Sequence, residues 1–253
     1  MGLFDKKYCS VCGEKIGLLG NRKLEDGNLC KHCAAKLSPF FSDRRRSTVE
    51  DIKEQLAYRE DNKAEVAKFH TTRSFGTDTK ILLDEDARKF VVTRARNLVD
   101  ANPDVMDFSA VTGVDINIDE DADEQFRKDK DGNSVSYHPP KYDYSYDFNV
   151  VIRVNHRYFD TISVQLNDSS VCTTDGGVFA TQKPDPETNA EYRQYREMCE
   201  EVKAALLGAR QQARDEAAKA AAPPTITRCP HCGANAASDE SGCCVFCGSP
   251  LNG

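Results

Sequence analysis

Tryptophan is absent from this chain of 253 residues, and so are long apolar runs. Apolar runs such as those at 81–83 and 150–152 are far shorter than the roughly 20 residues that a membrane-spanning helix needs. Residues 1–9 lack the apolar segment of a secretory signal. We therefore expect a cytoplasmic protein, in which thiols are kept reduced.

A surplus of positive charge is also missing. The formal net charge is −7 and the pI about 5.4, which argues against a dedicated duplex-DNA binder. Residues 1–46 are the exception, with ten Lys and Arg against five Asp and Glu, including Arg44, Arg45 and Arg46. No aromatic residues are interleaved with that run for base stacking. We expect a solvated basic face there, with nucleic-acid recognition as the alternative.

Cysteine is the one enriched feature: eleven residues, eight of them in four C-x-x-C pairs. In a reducing compartment such pairs are more typical of metal ligands than of disulfides. Four thiolates close a tetrahedral Zn²⁺ site and leave no position for a catalytic water, so two structural zinc ions are expected. The predicted ligands are Cys9, Cys12, Cys30 and Cys33 for the first ion, and Cys229, Cys232, Cys244 and Cys247 for the second.

The first pair of motifs predicts a knuckle, a hairpin and a helix. Gly13 after the second cysteine permits the positive φ that closes a knuckle. Asp26-Gly27 marks a hairpin turn, and 34–37 favours a helix. This order is typical of a treble-clef finger. The second pair resembles a zinc ribbon, which in about 28 residues only a metal could fold. His32 and His231 lie inside knuckles, and we expect both to be bystanders.

The segment between the two modules predicts helices and short strands. Thr48 and Asp51 form an N-cap signature, followed by one helix, an interruption at 58–62 and a second short helix. Strands are predicted at 81–84, 89–93, 105–108, 111–118, 148–154 and 161–166 from apolar runs and period-2 alternation. A helix from about residue 189 carries one apolar stripe, formed by Tyr192, Tyr195, Cys199, Val202 and Leu206.

The predicted architecture is therefore α+β and multi-domain. It combines a treble-clef-like Cys₄ finger, a pleckstrin-homology-like β-barrel with a C-terminal helix, and a zinc ribbon; a generic α+β middle domain is the alternative. The predicted divisions are a finger at 1–45, a helical connector at 46–70, the β-rich domain at 71–208, an Ala-rich helical linker at 209–225 and the ribbon at 226–253.

Three other features have competing interpretations. Residues 104–131 hold ten Asp and Glu against three Lys and Arg. They fail the EF-hand pattern, because Arg127 and His138 occupy its first and last ligand positions. We therefore expect a long, solvated acidic hairpin loop that ends near 139–140. The tyrosines at 137–146 form either a docking face or internal packing. Cys172 and His156 could be a nucleophile and a base, but nothing in their spacing brings them together, and Cys199 and Cys243 have no assigned role.

The N-terminal part resembles a known family. The knuckles, with 16–19 (Ile-Gly-Leu-Leu), 24–27 and 37–38, are similar to the bacterial zinc-finger family called domain of unknown function 4428. The helix at 48–55 and the stretch 66–72 also resemble segments that follow that finger, so the resemblance covers roughly residues 8–100. It implies zinc ligands at Cys9, Cys12, Cys30 and Cys33, and it provides no enzymatic activity that can be carried over to this chain.

These observations together predict a non-enzymatic adaptor that binds protein partners. Two closed Cys₄ sites, an acidic body and no catalytic constellation favour it, and no small-molecule substrate is evident. Nucleic-acid binding by the basic N-terminal module is one alternative. Association of the middle domain with a membrane surface is another, which the acidic stretch disfavours because it would repel anionic headgroups.

Overall fold

The computed structural model describes residues 6–174, 181–221, 226–237 and 242–251. The chain divides into two compact units, Met1–Gln211 and Gln212–Gly253. It is a mixed α and β structure with a cluster of four cysteines in each unit. No helix among the described residues is both long and apolar enough to cross a membrane.

The N-terminal module follows the predicted order of knuckle, hairpin and helix. Strands β1 (Arg22–Lys23) and β2 (Asn28–Leu29) pair antiparallel. The backbone N–H of Leu24 donates to the carbonyl of Gly27 across the turn between them. Helix α1 (Lys31–Ala35) begins at the second cysteine pair. Leu24, Leu29 and three of the four cysteines are buried in one small core.

Helix α2 (Val49–Lys68) is one continuous helix, not the two short ones predicted. Thr48 caps it as predicted, with Asp51 completing a capping box. The residues on its buried face are spaced as in a helix, but most of them are polar. The apolar stripe in the sequence therefore ends early, and this early end indicates a break between two helices where there is none. The buried residues are Ile52, Gln55, Arg59, Asn62 and Val66.

The first sheet of the middle region is antiparallel, in the order β3-β4-β5-β6. Its strands are β3 (Arg73–Phe75), β4 (Lys80–Asp84), β5 (Lys89–Thr93) and β6 (Met106–Asp107), with the short helix α3 (Leu98–Ala101) before the last. The predicted strands at 81–84 and 89–93 are confirmed. Together they bury Ile81, Leu83, Phe90 and Val92 in the main core.

The second sheet is built on two long strands, β7 (Val111–Lys128) and β8 (Ser134–Val154). Strand β7 pairs with one edge of β8. The other edge of β8 pairs with β9 (Thr161–Gln165) and β10 (Val171–Cys172). No strand pairs with the outer edge of β7 within the described parts of the chain.

The acidic stretch within 104–131 is therefore mostly strand. The predicted hairpin is present, but it consists of two paired strands and a tight turn rather than a long loop. Strand β7 continues to Lys128, and a tight turn follows. The carboxylate of Asp129 closes this turn by accepting the backbone N–H groups of Asp131 (2.9 Å) and Asn133 (2.8 Å). Regular cross-strand pairing with β8 outweighs the low β propensity of acidic residues here.

Helix α4 (Ala190–Ala221) packs its predicted stripe against the two sheets. All five stripe residues are buried, and Tyr192 contacts Tyr146 and Phe148 with ring centroids 5.0 and 5.1 Å apart. The two sheets and the helix thus share one core. No strand pairing joins the sheets among the described residues, so they do not form a closed barrel.

The second unit contains the antiparallel pair β11 (Ile226–Arg228) and β12 (Asn235–Ala237). Its small buried core consists of Cys229 and Cys244, against which Leu251 packs. Pro223 and Pro224, predicted to end the Ala-rich helix, lie outside the described residues. Helix α4 extends to Ala221.

Candidate metal centres

The first knuckle is a tight turn at Cys9–Gly13. The N–H of Gly13 donates to the carbonyl of Cys9 (2.8 Å), and Gly13 has a φ of +75°. This left-handed conformation is favourable only for a residue without a Cβ, as the sequence predicted. The turn directs the thiols of Cys9 and Cys12 towards the second pair.

The second pair is positioned by helix α1. Cys30 is its N-cap, and the thiol sulfur accepts the N–H of Cys33 at 3.3 Å. The Cys9 sulfur accepts the N–H of Cys30 at 3.4 Å, which links the two halves of the centre. These N–H groups stabilise negative charge on sulfur, as a thiolate ligand requires.

The geometry of the four sulfurs fits a zinc ion. They all lie within 4.8 Å of one another, with Cys12 Sγ 3.7 Å from Cys30 Sγ. A tetrahedral site with Zn–S bonds of about 2.3 Å requires sulfurs roughly 3.8 Å apart. The set contains four thiol donors and no carboxylate or imidazole, a composition that favours a closed structural site.

The electrostatics of the first centre differ between its cysteines. Burial opposes ionisation of Cys9, but N–H donation from Cys12, Cys30 and Val11 outweighs it and lowers the pKa of Cys9 to about 6. Burial, with the neighbouring thiols, raises the pKa of Cys33. Cys9 is therefore the first of these two to become a thiolate, and Zn²⁺ binding must displace the proton of Cys33.

The second centre repeats the arrangement with two glycine-closed knuckles. The N–H groups of Gly233 and Gly248 donate to the carbonyls of Cys229 (2.9 Å) and Cys244 (2.8 Å), and both glycines have positive φ. The sulfurs of Cys229 and Cys247 are 3.6 Å apart. Those of Cys232 and Cys244 are 3.8 Å apart. All four ligand atoms lie within 4.8 Å of one another.

The acid–base properties of the second centre are also uneven. Hydrogen bonds from the backbone and side chain of Ser249 lower the pKa of Cys247 to about 6. A hydrogen bond from the backbone of Ala234 lowers the pKa of Cys232, but partial desolvation and the neighbouring thiols together outweigh it and raise this pKa to about 12. Each centre can thus hold one structural zinc ion, and neither donor set includes His32 or His231, which are exposed.

The other predicted candidates lie elsewhere. Cys172 is exposed, and its sulfur lies 2.9 Å from the Asp143 carboxylate, to which it donates. His156 packs face to face on Phe159, with centroids 4.0 Å apart. The structure does not bring Cys172 and His156 together. Cys199 is buried in the core of the first unit, where burial raises its thiol pKa to about 11.

The run Arg44–Arg46 is a single 3₁₀ turn whose members differ. Arg46 is paired locally, with its Nε donating to Asp43 Oδ1 at 3.0 Å. Arg44 and Arg45 instead line a cleft together with Arg22 from β1. Sequence reasoning missed Arg22, since it lies 22 residues before the run and no motif connects the two.

The two centres define a protein with paired Cys₄ zinc modules, one in each compact unit. Residues 7–55 match the family model described as Domain of unknown function (DUF4428). The resemblance predicted from the sequence is therefore confirmed for the N-terminal finger. The comparison with curated proteins and the comparison with solved structures each gave no match.

Proposed function

We propose that this chain is a non-enzymatic, cytoplasmic zinc protein that acts as an adaptor and contacts protein partners through its C-terminal module. The observation that carries this proposal is an apolar knuckle. Val245 and Phe246, between the ligands Cys244 and Cys247, are 57% and 70% exposed. A solvent-exposed phenylalanine beside a valine, held on a metal-closed turn, is a preorganised apolar contact for a partner protein.

The chemistry of the centres supports a non-enzymatic role. A Cys₄ set leaves no ligand position for a water or a substrate, unlike a catalytic zinc site. The sequence prediction of a treble-clef finger is supported by the order of knuckle, hairpin and helix. We also propose a pleckstrin-homology-like arrangement for the middle region. Two sheets and α4 packed around one core support it.

The test is a comparison of two doubly substituted full-length chains. Val245→Ser with Phe246→Ser removes the apolar knuckle of the C-terminal module. Leu18→Ser with Leu19→Ser is the matched control, since these residues are 94% and 93% exposed in the first module. Zinc content is measured for both, and only chains that retain two zinc ions are compared.

Partners that co-purify with each chain are quantified by mass spectrometry. We expect the first variant to lose at least one partner that the wild type and the control both retain. An unchanged set of partners in the first variant would overturn the proposal. Flotation of the chain with anionic vesicles would favour the membrane alternative instead.

A further inference from the structure

A cleft of about 780 Å³ opens on the N-terminal module between the β1–β2 hairpin and the 3₁₀ turn at Arg44–Arg46. Four of its lining residues are cationic and one is acidic. They are Arg22, Lys23, Arg44 and Arg45 against Glu25. The cleft is therefore strongly electropositive, although the chain as a whole carries a net charge of −7.

Within the described part of the chain, the arginines of this cleft have no carboxylate partner. There, Arg22 donates to the backbone carbonyls of Leu19 (3.3 Å) and Asn21 (3.5 Å). Arg44 and Arg45 form no ion pair within the described ranges. Their neighbour Arg46 forms an ion pair with Asp43 outside the cleft. The nearby carboxylate of Asp43 is therefore already paired.

The fold holds these like charges together. The backbone N–H of Glu25 donates to the carbonyl of Ser47 at 3.0 Å, which ties the hairpin to the end of the 3₁₀ turn. Arg44 is half-buried, and burial together with the charges of Arg22 and Arg45 lowers its pKa. Repulsion between the three guanidinium groups is thus built into the module, and a bound anion would relieve it.

The chemistry of the lining favours one class of anion. A phosphomonoester carries a charge of about −1.5 to −2 and three strong acceptor oxygens. Guanidinium groups bind such oxygens in bidentate fashion. A nucleic-acid strand offers only one charge per phosphate, and proteins that bind single strands commonly add aromatic side chains on which the bases stack. The cleft contains no aromatic residue. We propose that Arg22, Arg44 and Arg45 form a binding site for a phosphomonoester group.

The test uses the full-length, zinc-loaded chain and O-phosphoserine as the probe. Affinity is measured by calorimetry and by the shift in Tm, with sodium chloride at equal ionic strength as the reference. We expect phosphoserine to raise the Tm beyond chloride. Arg44→Gln should weaken its binding about tenfold, the loss of one charge-assisted pair. Arg22→Gln, at an exposed position, should also weaken binding.

Arg46→Gln is the matched control, because it removes one charge from the same turn but outside the cleft. We expect it to change the affinity less than twofold. Without phosphoserine, Arg44→Gln should leave the Tm equal or higher, since it removes repulsion; an arginine with a merely structural role would lower it. Equal weakening by Arg44→Gln and Arg46→Gln, or no shift beyond chloride, would overturn the site.

Two further probes identify the source of the phosphate group. A short phosphoserine peptide that binds over tenfold more tightly than the free amino acid would support the site and assign its ligand to a phosphorylated protein. Equal affinities would support the site and assign it to small organic phosphates. An oligonucleotide without a terminal phosphate contains phosphodiesters but no phosphomonoester. If it binds more tightly than phosphoserine, the proposal is overturned. The site does not depend on the adaptor role, so the two can fail separately.

Discussion

Arg59 and Asp104 form a buried ion pair, with Nη1 2.8 Å from Oδ1 and their side chains 8% and 0% exposed. The same carboxylate accepts the Ser38 hydroxyl at 2.8 Å and the Tyr58 hydroxyl at 3.1 Å. Arg59 Nε also donates to the carbonyl of Lys36 (3.3 Å). Asp104 thus joins the end of the zinc module, helix α2 and the segment after α3.

Replacing Asp104 by Asn should strongly destabilise the first unit. It leaves the Arg59 guanidinium buried without its counter-charge, which typically costs about 3–5 kcal/mol. Equilibrium urea unfolding monitors the change. Glu60→Gln is the control, since Glu60 pairs with Lys63 at the surface (2.5 Å) and its loss should have a far smaller effect. Similar effects from both variants would mean that Asp104 does not hold these segments together.

The purified chain should contain two zinc ions. Cys33→Ser should reduce the content to one, because it removes one ligand of the first centre, and Cys244→Ser should do the same at the second. Cys172→Ser is the control and should keep two, as Cys172 belongs to neither cluster. Zinc is measured by elemental analysis. Retention of two ions by Cys33→Ser would contradict the assignment of the first centre.

His156 should titrate below its ordinary pKa of 6.5. Burial lowers its pKa, against a weaker opposing effect of the Asp104 charge, and its Nδ1 accepts the N–H of Tyr158 at 3.3 Å. The folded state therefore favours the neutral ring. Its contribution to stability should be complete above pH 6.5 and be lost as the pH falls through the lower folded-state pKa.

Two measurements check this prediction. NMR titration of the His156 ring gives its folded-state pKa directly. His156→Gln should remove the corresponding part of the pH dependence of unfolding between the two pKa values. A pKa at or above 6.5 in the folded chain would show that burial does not dominate at this site.

Two glycines should respond to alanine with opposite signs. At Gly76, φ is +87° and a Cβ would lie 2.2 Å from the Thr79 carbonyl oxygen, so Gly76→Ala should cost at least about 1–2 kcal/mol. Gly208 lies in α4 with nothing within 4 Å of its added Cβ. Gly208→Ala should stabilise by about 0.5–1 kcal/mol. Urea unfolding of both variants measures the difference, and equal signs would contradict the local geometry.

The sequence predicted the metal centres well because their determinants are local. A C-x-x-C pair with a following glycine specifies its own turn, and the distance between pairs limits which cysteines can meet. The apolar stripe from Tyr192 to Leu206 could also be predicted, because a helix that buries one face has apolar residues at helical spacing in its sequence. In both cases the information lies within a few residues.

Other features depend on partners that are distant in the sequence. The buried face of α2 contains Arg59 and Asn62, which hydrogen-bond to residues at 102–105. Because these buried residues are polar, a search for apolar periodicity does not detect them. The acidic half of β7 is a strand because of its register with β8. The cleft at Arg22 and Arg44 forms only when the hairpin meets the 3₁₀ turn.

No strand pairs with the outer edge of β7 among the described residues. Unpaired backbone groups along the edge of an 18-residue strand can pair with another copy of the same strand. Six carboxylates lie along this strand: Asp115, Asp119, Glu120, Asp121, Asp123 and Glu124. Asp115 is paired with Arg153 and Glu120 with Lys183, and the charges of the other four disfavour pairing between copies at neutral pH. We expect acidification, which protonates these carboxylates, to weaken this repulsion at the edge of β7.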